Sequence, residues 1–173
     1  LNNLATTFEE VGRDDEASDH YQSCLERQRA LLEPNHPHAL ITAFNFADLC
    51  LKKNDLRRAE DLFRYCYEGR VQKLGCEHPQ TMRAAYGLAD CLSALERYEE
   101  AIELRRIELA WCEKENGPDD PDTLFSLHML GVDLVDAKQP EAGLELLQDC
   151  LKRQQQLFGT THERTLSTFA RVL

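Results

Sequence analysis

One spacing constrains this chain more than any other property. His36-Pro37, His78-Pro79, Asp120-Pro121 and His162-Glu163 follow one another at an uninterrupted step of 42 residues. The same step links Leu4-Ala5, Phe46-Ala47, Leu88-Ala89 and Leu130-Gly131, and it links Ala17, Ala59, Ala101 and Gly143. A fixed period of this length marks a repeat architecture, in which each unit is a supersecondary element that cannot bury its apolar face alone. Small residues returning to fixed slots mark places of close packing.

Within each unit the apolar spacing is helical. Leu40, Ala43, Phe44, Ala47 and Leu51, followed by Leu56, Ala59, Leu62, Phe63 and Cys66, keep the 3, 4 and 7 spacing of one helix face, twice over. Two helices per unit are predicted. Helix A starts at the His-Pro dipeptide, because proline lacks an N–H that the first turn would leave unbonded and its fixed φ suits that position. It stops near Lys53-Asn54-Asp55 or Glu96-Arg97. Helix B runs from about Asp55 or Tyr98 to Gly75, Gly117 or Gly159, glycine being suited to a left-handed C-terminal position.

The fold class that follows is all-α: antiparallel helix pairs stacked into a right-handed α-α superhelix, a solenoid with a concave face. Residues 1–173 are expected to form a single array. Residues 1–34 are a partial repeat, 35–76, 77–118 and 119–160 are full repeats, and 161–173 open a further one. With no charged and apolar leader ahead of Leu1 and no initiator Met, the sequence is expected to be a piece of a longer solenoid.

Composition narrows the partners. The chain carries 31 acidic against 20 basic residues, a formal net charge of -11 that repels a phosphate backbone. Nucleic acid is therefore not expected. No apolar run approaches the roughly 18 residues of a membrane helix, so membrane insertion is not expected either. The 7 cysteines form no close pair of the kind that holds zinc or a redox disulfide, and an odd number cannot all pair within one chain. A reduced, cytoplasmic setting is expected.

Leu4-Ala5, Phe46-Ala47 and Leu88-Ala89 in helix A, Phe8 and Leu92 a turn later, Ala17, Ala59 and Ala101 in helix B, and Phe63 after them resemble the tetratricopeptide (TPR) signature. The period and the segments Leu74-Gly75-Cys76-Glu77-His78-Pro79-Gln80-Thr81 and Asn116-Gly117-Pro118-Asp119-Asp120-Pro121-Asp122-Thr123-Leu124 resemble the longer repeats of kinesin light chains. Asn3-Leu4-Ala5 and Glu96-Arg97-Tyr98-Glu99-Glu100-Ala101 match the two further motifs of those repeats. The resemblance covers essentially the whole chain and implies a protein-binding scaffold.

Three departures stand out. Arg105 occupies the slot of Phe63, Glu108 the small slot of Cys24, Cys66 and Cys150, and Gly143 that of the packed alanines. A charge buried without a partner would cost several kcal/mol, so Arg105 and Glu108 are expected either to reach solvent or to pair with each other. Trp111, at the position of Arg27, Gly69 and Arg153, is either a wedge between repeats or an exposed contact.

Neither catalysis nor a metal or other cofactor is expected. His36, His38, His78 and His162 invite a metal reading, yet equivalent points on successive helix pairs lie about 10 Å apart, whereas metal ligands converge on bonds of about 2 Å. Cys24, Cys66 and Cys150 share one slot and are too far apart to bridge, since a disulfide needs Cα atoms within about 7 Å. They are predicted to be small buried fillers. The sequence has no nucleophile elbow, phosphate-binding glycine loop or paired metalloprotease histidines.

The resemblance places the working surface on the concave side of the A helices, on residues flanking the packed Leu-Ala pairs. Carried over by position, these are Asn2, Asn3, Thr6, Ile41, Phe44, Asn45, Asp48, Arg83, Tyr86, Asp90, Phe125, His128 and Met129. Aromatic rings in a concavity suit an anchor-in-pocket mode, and amides can bond an extended guest backbone. A linear peptide or partner helix with apolar anchors and basic flanks is the expected ligand. Two alternatives stay open: Phe44, Tyr86 and Phe125 pack against neighbouring helices, or the array is a spacer or self-association element without a peptide.

Overall fold

The computed structural model describes residues 2–173, which form α1 (Asn2–Glu10), α2 (Asp14–Leu31), α3 (Pro37–Lys52), α4 (Leu56–Leu74), α5 (Pro79–Ala94), α6 (Tyr98–Asn116), α7 (Pro121–Asp136), α8 (Pro140–Phe158) and α9 (Glu163–Val172). Odd-numbered helices are the A helices and even-numbered ones the B helices. No strand occurs among the described residues. The chain divides into two compact units, one ending at Leu95 and the other running from Glu96 to Leu173. The boundary falls in the turn between the two helices of the repeat 77–118.

The repeated punctuation explains the helix ends. His36, His78, Asp120 and His162 are N-caps whose side chains accept from the backbone N–H two residues on. For the histidines the acceptor is Nδ1, at 3.2, 3.1 and 3.2 Å, and for Asp120 it is Oδ1 at 2.9 Å. These side chains satisfy N–H groups that a helix start leaves orphaned. Each A-to-B turn holds a left-handed residue, Gly12, Asn54, Glu96 or Lys138, with φ of 74°, 59°, 60° and 62°, and Asn35, with φ of 58°, adds one between α2 and α3. Gly75, Gly117 and Gly159 also have positive φ, but with ψ of 164°, 163° and 170°. That is not the left-handed helical cap expected from the sequence; it is an extended region essentially confined to glycine.

In the first unit, α1–α5 stack in chain order around a seam of small residues. Ala5, Ala17, Ala47, Ala59 and Ala89 are all fully buried. Phe63 is fully buried and lies so close to Gly87 that a Cβ there would stand 2.5 Å from its ring. Leu4 is 45% exposed, whereas Phe46 and Leu88 at the same slot are buried.

The second unit, α6–α9, keeps the plan with different contents. Gly143 meets Gly131 across the α7–α8 contact, where an added Cβ would lie 2.7 Å from the Gly131 carbonyl oxygen. Arg105 and Glu108 do not reach solvent; they are 0% and 7% exposed. They pair at 3.5 Å, and Arg105 Nε donates to Asp133 Oδ2 at 3.3 Å. Ser126 Oγ donates to Glu108 Oε1 at 3.2 Å. Of the two poses open from the sequence, mutual pairing holds, with Asp133 as the partner that completes it.

Candidate peptide-binding faces

The A helices carry every candidate site residue, and the structure sorts them into three groups. Asn3 and Ile41 are exposed, and with Asn2, Gln28, His38 and Thr42 they line a cleft of 320 Å³ between α1, α2 and α3. Phe125, His128 and Met129 are half-buried, and with Gln154, Glu163, Arg164 and Ser167 they line a cleft of 410 Å³ between α7, α8 and α9. The rest, Phe44, Asn45, Asp48, Arg83, Tyr86 and Asp90, lie on α3 and α5 of the first unit. Trp111 is half-buried on α6.

Phe44 is only 8% exposed, so its ring is a packing element and not a presented anchor. It meets Phe63 edge-on with centroids 5.4 Å apart, and the guanidinium groups of Arg70 and Arg83 cover it at 4.7 and 5.0 Å. Arg70 is held in place by donating to the Gln80 carbonyl at 2.7 Å. A cation set over a ring face is attracted by the ring's quadrupole, which fixes both arginines on this face. Tyr86 and Asp90 remain half-buried beside the exposed Arg83.

Asp48 gives the first unit its electrostatic character. Burial pushes its carboxyl up to about 6, against the pull of Arg83, and Glu9 pushes the same way. Glu9 is in turn held by Lys52 Nζ at 2.6 Å and receives the Tyr21 hydroxyl at 3.3 Å. An incoming cation would favour its charged form.

The second unit's cleft has a different floor. Gln154 is 2% exposed, and its Oε1 is screened from solvent with no hydrogen-bond partner. Such an unmet acceptor costs about 1–3 kcal/mol. Above it, His128 Nδ1 and the Thr168 hydroxyl lie 2.9 Å apart, and burial, aided by Arg171, lowers the imidazole pKa. Arg164 lies over the Phe125 ring at 5.6 Å and donates to the Pro121 carbonyl at 3.0 Å. Gln28, His38, Thr42, Gln154, Glu163, Arg164 and Ser167 join the two clefts without being expected there from the sequence. Gln28 and Gln154 sit in the B helices, where the reading from packed Leu-Ala pairs does not look, although the period itself places them at one slot.

Among the described residues no group of three or more potential metal ligands converges, and no helix is long and apolar enough to cross a membrane. The thiols are packed instead. Cys66 and Cys150 donate to the Leu40 and Leu124 carbonyls at 3.3 and 3.2 Å, and burial pushes them up to about 12 and about 11. Cys76 is exposed.

Known structures share this architecture. A kinesin light chain candidate from Podosopora anserina with nearly identical TPR-like repeats superposes with a TM-score of 0.85 at 22% identity, over 99% of this chain and 81% of that one. BtubC (BKLC) from P. vanneervenii gives 0.80 at 16% identity, over 98% and 67%. MamA from Desulfovibrio magneticus RS-1 gives 0.65 at 20%, over 98% and 89%. At these identities the likeness establishes the fold. No curated protein matches the sequence. Tetratricopeptide repeat profiles match residues 1–70 and 80–142, and a second such profile matches 123–164. The chain therefore belongs to the tetratricopeptide repeat family, with repeats that resemble those of kinesin light chains.

Proposed function

We propose that the protein is an interaction module whose A-helix faces hold linear segments of partner proteins. The observation that carries this reading is the cleft of 410 Å³ in the second unit, where Phe125, His128 and Met129 meet three residues of α9. A concavity with an aromatic wall and a few convergent polar groups is the usual form of a ligand site, and its volume lies in the common range of about 300–1,000 Å³. The half-buried rings there are Phe125 and, in the first unit, Tyr86; Phe44 serves as support. Asp48 and Glu9 favour basic residues flanking the apolar anchors of the guest. The packed thiols suit a reducing compartment, and we place the protein in the cytoplasm.

The test is panning of a random linear-peptide library on the intact chain, followed by affinity measurement with Phe125→Ser and Tyr86→Ser. Selected peptides should carry apolar anchors beside Lys or Arg, and each truncation should weaken binding by about 1–2 kcal/mol while helicity is retained. A chain that enriches no peptide is a spacer or self-association element, and the reading falls.

A further inference from the structure

The two clefts are the same site in different repeats. Asn2, Asn3, Gln28, His38, Ile41 and Thr42 of the first correspond, three steps of 42 later, to His128, Met129, Gln154, Arg164, Ser167 and Thr168 of the second. In both, a B-helix glutamine forms the floor, and in both its Oε1 is buried without a hydrogen-bond partner. Asn2 adds a second such oxygen to the first cleft. At the intervening register of the first unit the floor residue is Arg70, whose guanidinium is spent on the Gln80 carbonyl and the Phe44 ring. The cleft that Arg70 lines is only 60 Å³, so among these registers glutamine coincides with the more open cleft.

From this recurrence we infer that each cleft receives a primary carboxamide, the side chain of an Asn or Gln in the guest peptide. An amide carries a donor and an acceptor, and its terminal torsion is broad and two-fold, so Gln154 or Gln28 can turn to offer whichever atom a guest amide lacks. The mouth of the second cleft has one carboxylate, Glu163, and one guanidinium, Arg164, already engaged with Pro121 and Phe125. With both signs at the mouth, neither a guest carboxylate nor a guest cation finds an uncontested partner there. A neutral donor-bearing group needs no charged partner and completes the unmet acceptor. Phe125 and Met129 supply apolar walls for the stem.

This inference rests on the reading of the A-helix faces as peptide-binding, and its test separates the two. The isotopically labelled chain is titrated with a blocked alanine–glutamine–alanine tripeptide, and with versions carrying glutamate or leucine at the centre. The glutamine peptide should shift the side-chain amide signals of Gln154 and Gln28 saturably, and about fivefold or more tightly than either control. Gln154→Leu should abolish the response in the second unit alone and Gln28→Leu in the first alone. Both variants should melt no lower than the parent, since each removes an unmet acceptor. Equal binding of the leucine or glutamate peptide overturns the inference. So does a response that survives the variants, or a variant that melts well below the parent, which would make the amide a structural element. In those cases library-selected peptides still bind and the proposed function stands. A chain that binds neither tripeptides nor selected peptides overturns both.

Discussion

In the first unit the B-helix slot at Phe63 holds a fully buried aromatic ring, whereas one repeat later, in the second unit, that slot holds Arg105, also at 0% exposure. The surroundings change to match. Cys66, a thiol bonded to the Leu40 carbonyl, gives way to Glu108, and the position of Leu49 and Cys91 becomes Asp133. The first unit closes its seam with apolar volume, placing Gly87 where any larger side chain would strike the ring. The second closes it with an arginine between two carboxylates and a serine hydroxyl. One helix-pair geometry thus accepts either an apolar plug or a paired ionic cluster, provided the neighbours change together.

The sharpest way to break that comparison is to strip one partner from each solution. Asp133→Leu leaves the buried Arg105 with one of its two carboxylate partners and without its Nε hydrogen bond, and should cost about 3–5 kcal/mol in denaturant unfolding. Phe63→Ala should cost a similar amount, about 3–5 kcal/mol, through the cavity it leaves. Converting the whole cluster with Arg105→Phe, Glu108→Cys and Asp133→Leu, together with Met129→Gly at the slot of Gly87, should restore most of the Asp133→Leu loss or exceed the parent by about 1–4 kcal/mol. A quadruple variant as unstable as the single one would show that the second unit cannot accept the first unit's packing.

Close approach gives a smaller contrast. Ala59→Leu overpacks the seam of the first unit, and Gly143→Ala pushes a methyl against the Gly131 carbonyl in the second. Each should cost about 1–3 kcal/mol by thermal unfolding. Gly143→Ala without effect would mean that α7 and α8 can separate freely, leaving the glycine pair without a packing role.

The electrostatic contrast concerns Asp48, whose slot in the second unit is filled by the buried, apolar Val132. Its folded-state pKa, about 6, lies above the ordinary 3.8. The native state therefore holds the proton more tightly, so the contribution is fully present below about 4 and is lost as pH rises through about 6. Asp48→Asn should stabilise the protein at neutral pH by about 1–2 kcal/mol, with allowance for partial exposure, and should flatten the pH dependence between about 4 and 6. Peptides with basic flanks should bind the parent more tightly at about pH 7 than at about pH 5, and the variant should lose that dependence.

Much of this was legible in the sequence because the period carries it. The His-Pro step marks the A-helix starts, and the recurring Ala and Gly mark the seams. The signal fades where a residue departs from the repeat. Arg105 and Glu108 are visible as anomalies, but Asp133, the second carboxylate on Arg105, looks like an ordinary helix residue until α6 and α7 are packed together. Phe44 and Phe125 belong to the same A-helix face at different slots of the repeat, and burial separates support from cleft wall. Gln28 and Gln154 were hidden for the opposite reason: glutamine on a B helix is commonplace until its oxygen is found without a partner.

The central claim is that partners are held on the A-helix faces, and backbone amide chemical-shift mapping with a library-selected peptide tests it most directly. Changes concentrated on α1, α3 and α5 in the first unit, or on α7 and α9 in the second, are the predicted result. Changes confined to α2, α4, α6 and α8, or a bound peptide that leaves the A helices unmoved, would contradict it.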